Sequence, residues 1–162
     1  AGEPFDITPY GTEALGVMRI EKGHVTGNEL NGTITAHNLG MARMVSSKKD
    51  SIGAVLAGRE ALVAEDGLCL VGLRALDDGQ VIAGSHLFDA DGPVDAAHDR
   101  GYVTSAAYSP HIGASIGLGF LARGAERHGQ IIRSMNPLEG RSARVEICSP
   151  HFIDPEGERL RD

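Results

Sequence analysis

Glu21 is the residue with the clearest chemical potential in this chain, because it lies in the run Arg19-Ile20-Glu21-Lys22-Gly23. The residues before it, Tyr10–Met18, have the apolar spacing of an amphipathic helix, so the carboxylate falls at a helix end beside a glycine. Two interpretations are open. Glu21 is either a solvated surface glutamate paired with Lys22 or Arg19, or a pocket carboxylate that accepts two parallel N–H bonds from a flat heterocycle. Arg19 either holds this carboxylate or packs on the other side of it.

Two short patterns resemble catalytic or cofactor motifs but lack the required surroundings. Residues 113–117 read Gly-Ala-Ser-Ile-Gly, yet a nucleophile elbow needs a strand before the serine and a helix after it, and here a turn precedes it and a strand-like run follows. Residues 117–122 read Gly-Leu-Gly-Phe-Leu-Ala, but Gly124 and Gly129 would disrupt the helix that a dinucleotide site requires. Glycines in a bent strand explain both patterns better.

Metal and redox chemistry are disfavoured by the spacing of the histidines and cysteines. No two histidines are four residues apart and no Cys-x-x-Cys occurs, so we expect no metal site. Cys69 and Cys148 are interpreted as reduced core residues. His111, in the run Ser-Pro-His-Ile-Gly, is the histidine most favourably placed to lie near a pocket.

The composition excludes several classes of partner. A net charge of −7 opposes binding to nucleic acid, which depends on clustered Lys and Arg. No apolar run reaches membrane-spanning length, and the first residues lack the basic and apolar regions of a signal peptide. We therefore expect a cytoplasmic protein that binds neither nucleic acid nor membranes.

The chain divides near residue 65 into a mixed or helical part and a β-rich part. In residues 1–64, the pattern predicts helices from Tyr10 to Met18, from Thr35 to Met44 and from Ile52 to Leu62. From residue 65 to 162, short β-like runs alternate with Gly, Pro and Asp, which indicates a barrel or sandwich. The predicted strands are Leu68–Leu76, His86–Phe88, Tyr102–Tyr108, Ile116–Ala122, Gln130–Ser134 and Ala143–Cys148.

An ordered set of motifs resembles the aminomethyltransferase family, also called the glycine-cleavage T-protein family. The chain is most similar to the version found in the alpha subunits of heterotetrameric sarcosine oxidases, and the resemblance covers nearly its whole length. The motifs are Tyr10-Gly11-Thr12-Glu13-Ala14, Arg19-Ile20-Glu21-Lys22-Gly23-His24, Asn31-Gly32-Thr33-Ile34-Thr35, Lys49-Asp50-Ser51-Ile52-Gly53, Gly101-Tyr102-Val103-Thr104-Ser105, Tyr108-Ser109-Pro110, Ile116-Gly117-Leu118-Gly119, and Phe152-Ile153-Asp154-Pro155-Glu156-Gly157.

The resemblance implies an α+β remnant of a folate-binding domain, residues 1–64, followed by a mostly antiparallel β-barrel, residues 65–162. It implies that Glu21 matches the family glutamate that holds the pteridine ring of tetrahydrofolate. The parent enzyme would demethylate sarcosine oxidatively and transfer the one-carbon unit to tetrahydrofolate. FAD, FMN and NAD are expected only in parts of the parent that this chain does not contain, and the chain alone is expected to be catalytically incomplete.

Two departures from the family pattern affect the expected site. Relatives usually carry a basic residue just after the Ile52-Gly53 match, where this chain has Ala54, so the cation for the folate tail is expected to be Arg59. A related iron–sulfur-maintenance branch has a cysteine where this chain has His24, so that thiol-dependent role is not expected. No catalytic residue is predicted within the chain.

Two alternatives stay open beside the sarcosine oxidase interpretation. The chain could be a piece of a stand-alone aminomethyltransferase or of another folate-dependent demethylase, or the barrel could act mainly as a non-catalytic subunit-contact module. The expected partners are folate, the beta, gamma and delta subunits of sarcosine oxidase, and the remaining N-terminal part of the alpha subunit. Self-association of the chain through an exposed apolar face is a further contact that we consider.

Overall fold

Six antiparallel strands close into a barrel, in agreement with the short apolar runs of the second part of the chain. The structure is a computed structural model that describes residues 1–46 and 48–161. The strands are β1 Leu68–Ala75, β2 His86–Asp89, β3 Gly101–Ser109, β4 Ala114–Ala122, β5 Ile131–Asn136 and β6 Arg141–Cys148. Around the barrel their order is β1-β4-β3-β2-β5-β6, so β6 pairs with β1 and completes the circle.

The inside of the barrel is a packed apolar core. Alternate residues of each strand point inward, as Ala143, Val145 and Ile147 do on β6. These side chains and their counterparts on the other strands fill the interior, because a six-stranded barrel is too narrow to enclose a ligand. Any binding site must therefore lie outside this core.

Strand β4 is buried on both faces, which explains its glycines. Leu121 faces the barrel interior, whereas Ile116, Leu118 and Phe120 point outward and are covered by residues from the first part of the chain. A Cβ atom on Gly119 would lie 2.7 Å from the carbonyl oxygen of Tyr102 on β3. The glycines that resemble a dinucleotide motif are thus positions of close backbone approach within a strand.

The first helix, α1 Thr12–Glu21, lies against the outside of the barrel through its C-terminal end. Ile20 packs into the apolar cluster formed by Ile116, Leu118 and Phe120. The helix begins and ends later than the Tyr10–Met18 helix predicted from the sequence. Leu15 and Met18 remain substantially exposed, so the apolar face that suggested the helix is not the face that the barrel covers.

The other two predicted helices are wrong in extent. Between Thr35 and Met44 the chain forms turns because the Asn38 side chain accepts the backbone N–H of Thr35 and donates to the carbonyl of Leu68. Between Ile52 and Leu62 only one helical turn forms, α2 Ala54–Ala57. Gly53 has a φ of 91°, which prevents an earlier start, and Gly58 ends the turn.

Short 3₁₀ segments make up the remaining regular structure. They are Glu3–Phe5, Ala42–Met44, Glu60–Leu62, Gly124–Arg127 and Glu158–Leu160. Within the described ranges, no helix has the length and apolar character needed to cross a bilayer.

Candidate functional site

Glu21 is buried between α1 and the barrel, which contradicts the surface alternative. It is the last residue of α1 and only 8% of its surface is exposed. Its Oε1 atom accepts a hydrogen bond of 2.5 Å from the Oγ–H of Ser109, the last residue of β3. Neither Lys22 nor Arg19 pairs with it, because each has a different carboxylate partner. Its Oε2 atom accepts no hydrogen bond from the residues that the structure describes.

The Glu-x-Gly spacing has a structural reason in the C-terminal segment of the chain. The backbone N–H groups of Phe152 and Ile153 both donate to the carbonyl oxygen of Glu21, at 2.9 and 3.0 Å. Gly23 has a φ of 73°, and a Cβ atom there would lie 2.5 Å from the carbonyl oxygen of Pro150. A glycine two residues after Glu21 thus lets the C-terminal segment close over the helix end.

Arg19 binds Glu29 instead of Glu21, which settles the alternative that the sequence left open. Glu29 is fully buried, and its carboxylate is 3.1 Å from Arg19 Nη1. Thr104 and Ser105 each donate to Glu29 Oε1 at 2.6 Å. Successive strand residues normally face opposite ways, and a register shift between Val103 and Ser105 brings both hydroxyls to one carboxylate.

The Glu29 carboxylate is fully satisfied. Burial alone would raise its pKa, but hydrogen bonds from Ser105, Thr104 and the Thr26 N–H, with the charge of Arg19, hold the pKa below its ordinary value. Its Oε1 atom accepts hydrogen bonds from Thr104 and Ser105, and its Oε2 atom accepts them from Arg19 and Thr26. Glu29 therefore links α1 and the following loop to β3, and it has no capacity left for a ligand.

A cavity of about 280 Å³ opens beside Glu21. Its lining residues are Met18, Glu21, Lys22, His24, Ile153, Asp154 and Arg159. Within it, Lys22 Nζ lies 3.1 Å from Asp154 Oδ2 and also donates to the Asp154 carbonyl. Partial burial by itself would raise the pKa of Asp154, but the hydrogen bonds from Lys22 and from the N–H groups of Glu158 and Arg159 hold it below its ordinary value.

This arrangement suits a flat polar ring with an anionic tail. The open oxygen of Glu21 can accept an N–H bond, and Met18 and Ile153 provide apolar surface on which a ring can lie. Arg159 supplies a cation at the same cavity, and its side chain makes no ion pair within the described parts of the chain. Carboxylates and guanidinium groups are the strongest partners for N–H pairs and anions, respectively.

Arg59, the cation predicted from the sequence, lies elsewhere. It is an exposed residue between α2 and the 3₁₀ helix Glu60–Leu62, and it does not line the cavity at Glu21. The structure therefore does not bring Glu21 and Arg59 to the lining of one cavity. Instead, a chain segment more than a hundred residues after Glu21 contributes Arg159.

A larger cavity of about 510 Å³ is lined by charged residues that compensate each other. Asp89 accepts hydrogen bonds from Arg127 at 2.6 Å and from Arg100 at 3.4 Å. Burial would raise the pKa of Asp89, but Arg127 and Arg100 hold it below its ordinary value. Arg123 is likewise paired, with Glu126 at 2.9 Å. Because these charges are already matched within the protein, this cavity offers less to a ligand than the one at Glu21.

The remaining candidates from the sequence have structural roles or lie apart from the site. Ser115 lies on β4 and its Oγ accepts the backbone N–H of Val81 at 3.0 Å, so it is no elbow nucleophile. His111 is an exposed turn residue. Cys69 and Cys148 are unpaired and half-buried, and burial, with the Glu146 charge, raises the pKa of Cys148 to about 11. Within residues 1–46 and 48–161, no group of three or more His, Cys, Asp or Glu could hold a metal ion.

Sequence reasoning missed three polar residues that shape this region: Ser109, Glu29 and Arg159. For Glu29 a signal was present, since Thr26-x-x-Glu29 has the spacing of a capping box, and Thr26 N–H does donate to Glu29 at 2.8 Å. Ser109 belongs to the motif Tyr108-Ser109-Pro110, but nothing in that motif links it to Glu21, and Arg159 has no local signal. They reach Glu21 only through the folding of distant segments.

Two sequence profiles of protein domains match the chain. The profile described as the glycine cleavage T-protein C-terminal barrel domain matches residues 69–154, which is more than half of the chain. The profile described as the GCVT N-terminal domain matches residues 1–49. Together the two profiles cover the helix that carries Glu21 and the six strands of the barrel, apart from Leu68 at the start of β1.

Individual relatives include subunits of an oxidase and stand-alone transferases. The sarcosine oxidase subunit alpha of Rhizobium meliloti is 46% identical over 99% of this chain and 16% of that protein. The subunit of the same name from Corynebacterium sp. strain P-1 is 36% identical over 98% of this chain and 17% of that protein. An aminomethyltransferase from Staphylococcus saprophyticus is 34% identical over 77% of this chain and 34% of its own length. The chain thus spans well under half of each of these relatives.

A solved structure has the same fold. The crystal structure of the glycine cleavage system aminomethyltransferase T from Bartonella henselae superposes with a TM-score of 0.68 at 21% identity, over 90% of this chain and 39% of that one. At this identity the match establishes the fold, including the antiparallel barrel that the family resemblance implied.

Proposed function

This chain belongs to the glycine cleavage T-protein family, as an aminomethyltransferase-like portion homologous to the C-terminal part of sarcosine oxidase alpha subunits, and on this premise we propose that it binds tetrahydrofolate at Glu21. The Glu21 carboxylate would accept the ring amide N–H and the exocyclic amine of the pteridine together. Such a bidentate contact compensates a desolvated charge and fixes the plane of the ring.

One observation carries this proposal: a buried carboxylate that is only half satisfied by the protein. Glu21 Oε1 is bound by Ser109, while Oε2 has no partner among the described residues, and the carboxylate lines a cavity. Among the described residues Oε2 is not a fully buried atom lacking a partner, so it is accessible from the cavity and can accept a ligand N–H there. Glu29, eight residues later, shows how a purely structural carboxylate in this fold is satisfied.

The reaction of the parent protein is also a proposal, and it is supported by the names of the relatives and by the family resemblance. The parent would oxidise sarcosine, using FAD, FMN and NAD bound outside this chain, and tetrahydrofolate would accept the released one-carbon unit. Residues of this chain would bind and orient the acceptor, so that a bimolecular step gains the rate advantage of proximity. The wall formed by Met18 and Ile153 would limit the access of water to the ring.

We assign residues 1–64 to the folate-binding domain and residues 65–162 to the barrel domain. Arg59 stays a proposed contact for the anionic tail of folate, although Arg159 is the cation that lines the Glu21 cavity. Turnover is expected only when the rest of the alpha subunit and the beta, gamma and delta subunits are present, since the chain spans 16% of the Rhizobium meliloti relative. The protein is expected to act in the cytoplasm, where folate-dependent one-carbon chemistry occurs.

The first test is a calorimetric titration of the chain with 5-formyltetrahydrofolate, a stable reduced folate. We expect saturable binding that Glu21→Gln weakens by roughly 1–3 kcal/mol, because the amide offers only one acceptor oxygen and lacks the charge. Arg159→Ala and Arg59→Ala, titrated in parallel with the mono- and triglutamate forms, identify the cation that contacts the tail.

The control is Glu139→Gln, which alters an exposed glutamate that pairs with Arg141 far from the cavity. This variant should bind as the unaltered chain does. Absence of saturable binding, or equal affinities for the unaltered chain and Glu21→Gln, would contradict the proposed function.

A second candidate function, a subunit-contact module, is favoured by exposed apolar side chains in the first part of the chain. Ile52, Val55, Leu15 and Met18 are all substantially exposed. Ile52 and Val55 are three positions apart, and exposed apolar side chains of this kind are typical of protein contacts when they form a patch. Ile52→Asp combined with Val55→Asp should then reduce association with the other subunits while leaving folate affinity unchanged, as measured by co-purification and by calorimetry.

A further inference from the structure

We propose that Ser109 is a positioning residue of the folate site, through which the barrel sets the orientation of the Glu21 carboxylate. This inference rests on the proposed function. It concerns a residue of β3 that the family resemblance did not mark as part of the site, and it gives the barrel a role in binding beyond packing.

The hydrogen bonds around Ser109 leave its hydroxyl proton only one direction. Its Oγ accepts the backbone N–H of Ile112 at 3.0 Å and lies 2.5 Å from Glu21 Oε1. A serine hydroxyl has one proton, and a carboxylate has none to give, so the proton must point to Glu21. Because Ser109 is fully buried, water cannot take either role.

The hairpin between β3 and β4 holds the hydroxyl rigidly. Ser109 is the last residue of β3, and its carbonyl accepts the N–H of Gly113, which has a φ of 71° and closes the turn. Ile112, whose N–H binds the Ser109 hydroxyl, packs into the same apolar cluster as Ile20. The position of Oγ is thus determined by the barrel on one side and by α1 on the other.

The Glu21 carboxylate needs such a partner because of its place on the helix. It lies at the C-terminal end of α1, where the helix dipole disfavours negative charge. The short bond to Ser109 offsets this effect and fixes one oxygen. The remaining lone pair of Oε1 and the unbound Oε2 are left to accept the two N–H groups of the ligand at the cavity. Without Ser109, the carboxylate could rotate and present neither oxygen in a fixed place.

The test is a double-mutant cycle on affinity for 5-formyltetrahydrofolate, with the unaltered chain, Ser109→Ala, Glu21→Gln and the double variant. We expect Ser109→Ala to weaken binding by about tenfold, since a hydrogen bond to a charged group is removed. In the Glu21→Gln background, Ser109→Ala should change affinity less than twofold. Ser109→Thr, which keeps the hydroxyl, should restore most of the affinity.

The control is Ser134→Ala, which truncates an equally buried serine on β5 away from the cavity. Thermal unfolding of every variant separates loss of binding from loss of folding. If Glu21→Gln weakens binding but Ser109→Ala does not, the positioning role is wrong and the proposed function stands. Equal losses from Ser109→Ala in both backgrounds would also overturn it. If Glu21→Gln binds as tightly as the unaltered chain, the proposed function itself fails.

Discussion

At the scale of single residues, two glutamates eight positions apart have opposite roles. Glu29 receives donors from Arg19, Thr26, Thr104 and Ser105 and has no free acceptor site. Glu21 receives one side-chain donor and lines a cavity. Both are buried carboxylates, so burial alone does not separate a structural residue from a candidate ligand-binding residue. The two kinds of residue are distinguished by the number of hydrogen-bond donors that the protein supplies to the carboxylate.

The saturated carboxylate should contribute to stability in a pH-dependent way. Because the pKa of Glu29 is lower in the folded state, its contribution is present above the ordinary glutamate value and is lost as the pH falls through the folded pKa. Glu29→Gln should reduce the free energy of unfolding at pH 7 by roughly 1.5–3 kcal/mol, since charged hydrogen bonds are lost. It should also make stability less dependent on pH below about 5.

Urea unfolding between pH 3 and pH 7 measures both effects. Glu139→Gln, at an exposed ion pair, is the matched control and should leave the acid dependence unchanged. Identical pH profiles for Glu29→Gln and the unaltered chain would show that Glu29 does not supply this stability.

At the scale of elements, glycines mark different constraints in the helix and in the barrel. Gly16 lies within α1, and a Cβ atom there would meet nothing within 4 Å. Gly119 lies in β4, where a Cβ atom would meet the Tyr102 carbonyl at 2.7 Å and Leu73 Cδ1 at 3.2 Å. The helix glycine is therefore dispensable for packing, whereas the strand glycine permits β3 and β4 to approach.

Substitution by alanine at these two positions should change the free energy of unfolding in opposite directions. Gly16→Ala should raise the free energy of unfolding by about 0.5–1 kcal/mol, because alanine restricts the unfolded chain and favours the helix. Gly119→Ala should lower it by about 1–3 kcal/mol through overpacking. Chemical denaturation followed by circular dichroism measures both. Destabilisation by Gly16→Ala, or tolerance of Gly119→Ala, would contradict the packing described for α1 and β4.

At the scale of the whole molecule, the apolar core is distributed unevenly. Among the described residues before residue 65, Ile20 is the one buried apolar side chain, whereas every barrel strand contributes to the core. Local opening is easiest where few apolar contacts must be broken. The first part of the chain is therefore held by fewer apolar contacts than the barrel, at Ile20 and at the partly buried Val25, Ile34 and Leu39.

We expect amide exchange to be faster in residues 1–64 than in residues 67–150. Hydrogen exchange followed by mass spectrometry should show strong protection on β1, β3 and β4, and weak protection across α2 and its flanking turns. The segment around Glu21 should be an exception within the first part, because its carbonyl binds Phe152 and Ile153. Uniform protection across both parts would refute this expectation.

The barrel could be predicted from the sequence because its information is local. Each strand is a short run of β-branched and apolar residues bounded by Gly, Pro or Asp, and all six predicted strands overlap those of the structure. The helices were predicted less well. The helix from Thr35 was predicted from a capping residue and the helix from Ile52 from helical spacing. Neither run contains a buried apolar side chain, and packing supplies most of the stability of short helices.

Ordered motifs and strand periodicity are properties of the linear chain, so they predicted the family and the barrel and singled out Glu21 as a candidate. The partners of that carboxylate could not be predicted, because they belong to segments that meet it only in the folded protein. Ser109 lies 88 positions from Glu21, and Arg159 is farther still, so no local pattern could assign either to the site. Likewise, Arg19 binds Glu29 and not its neighbour on the helix. Side-chain pairing is set by how separate segments pack, and that packing has no signature in local spacing.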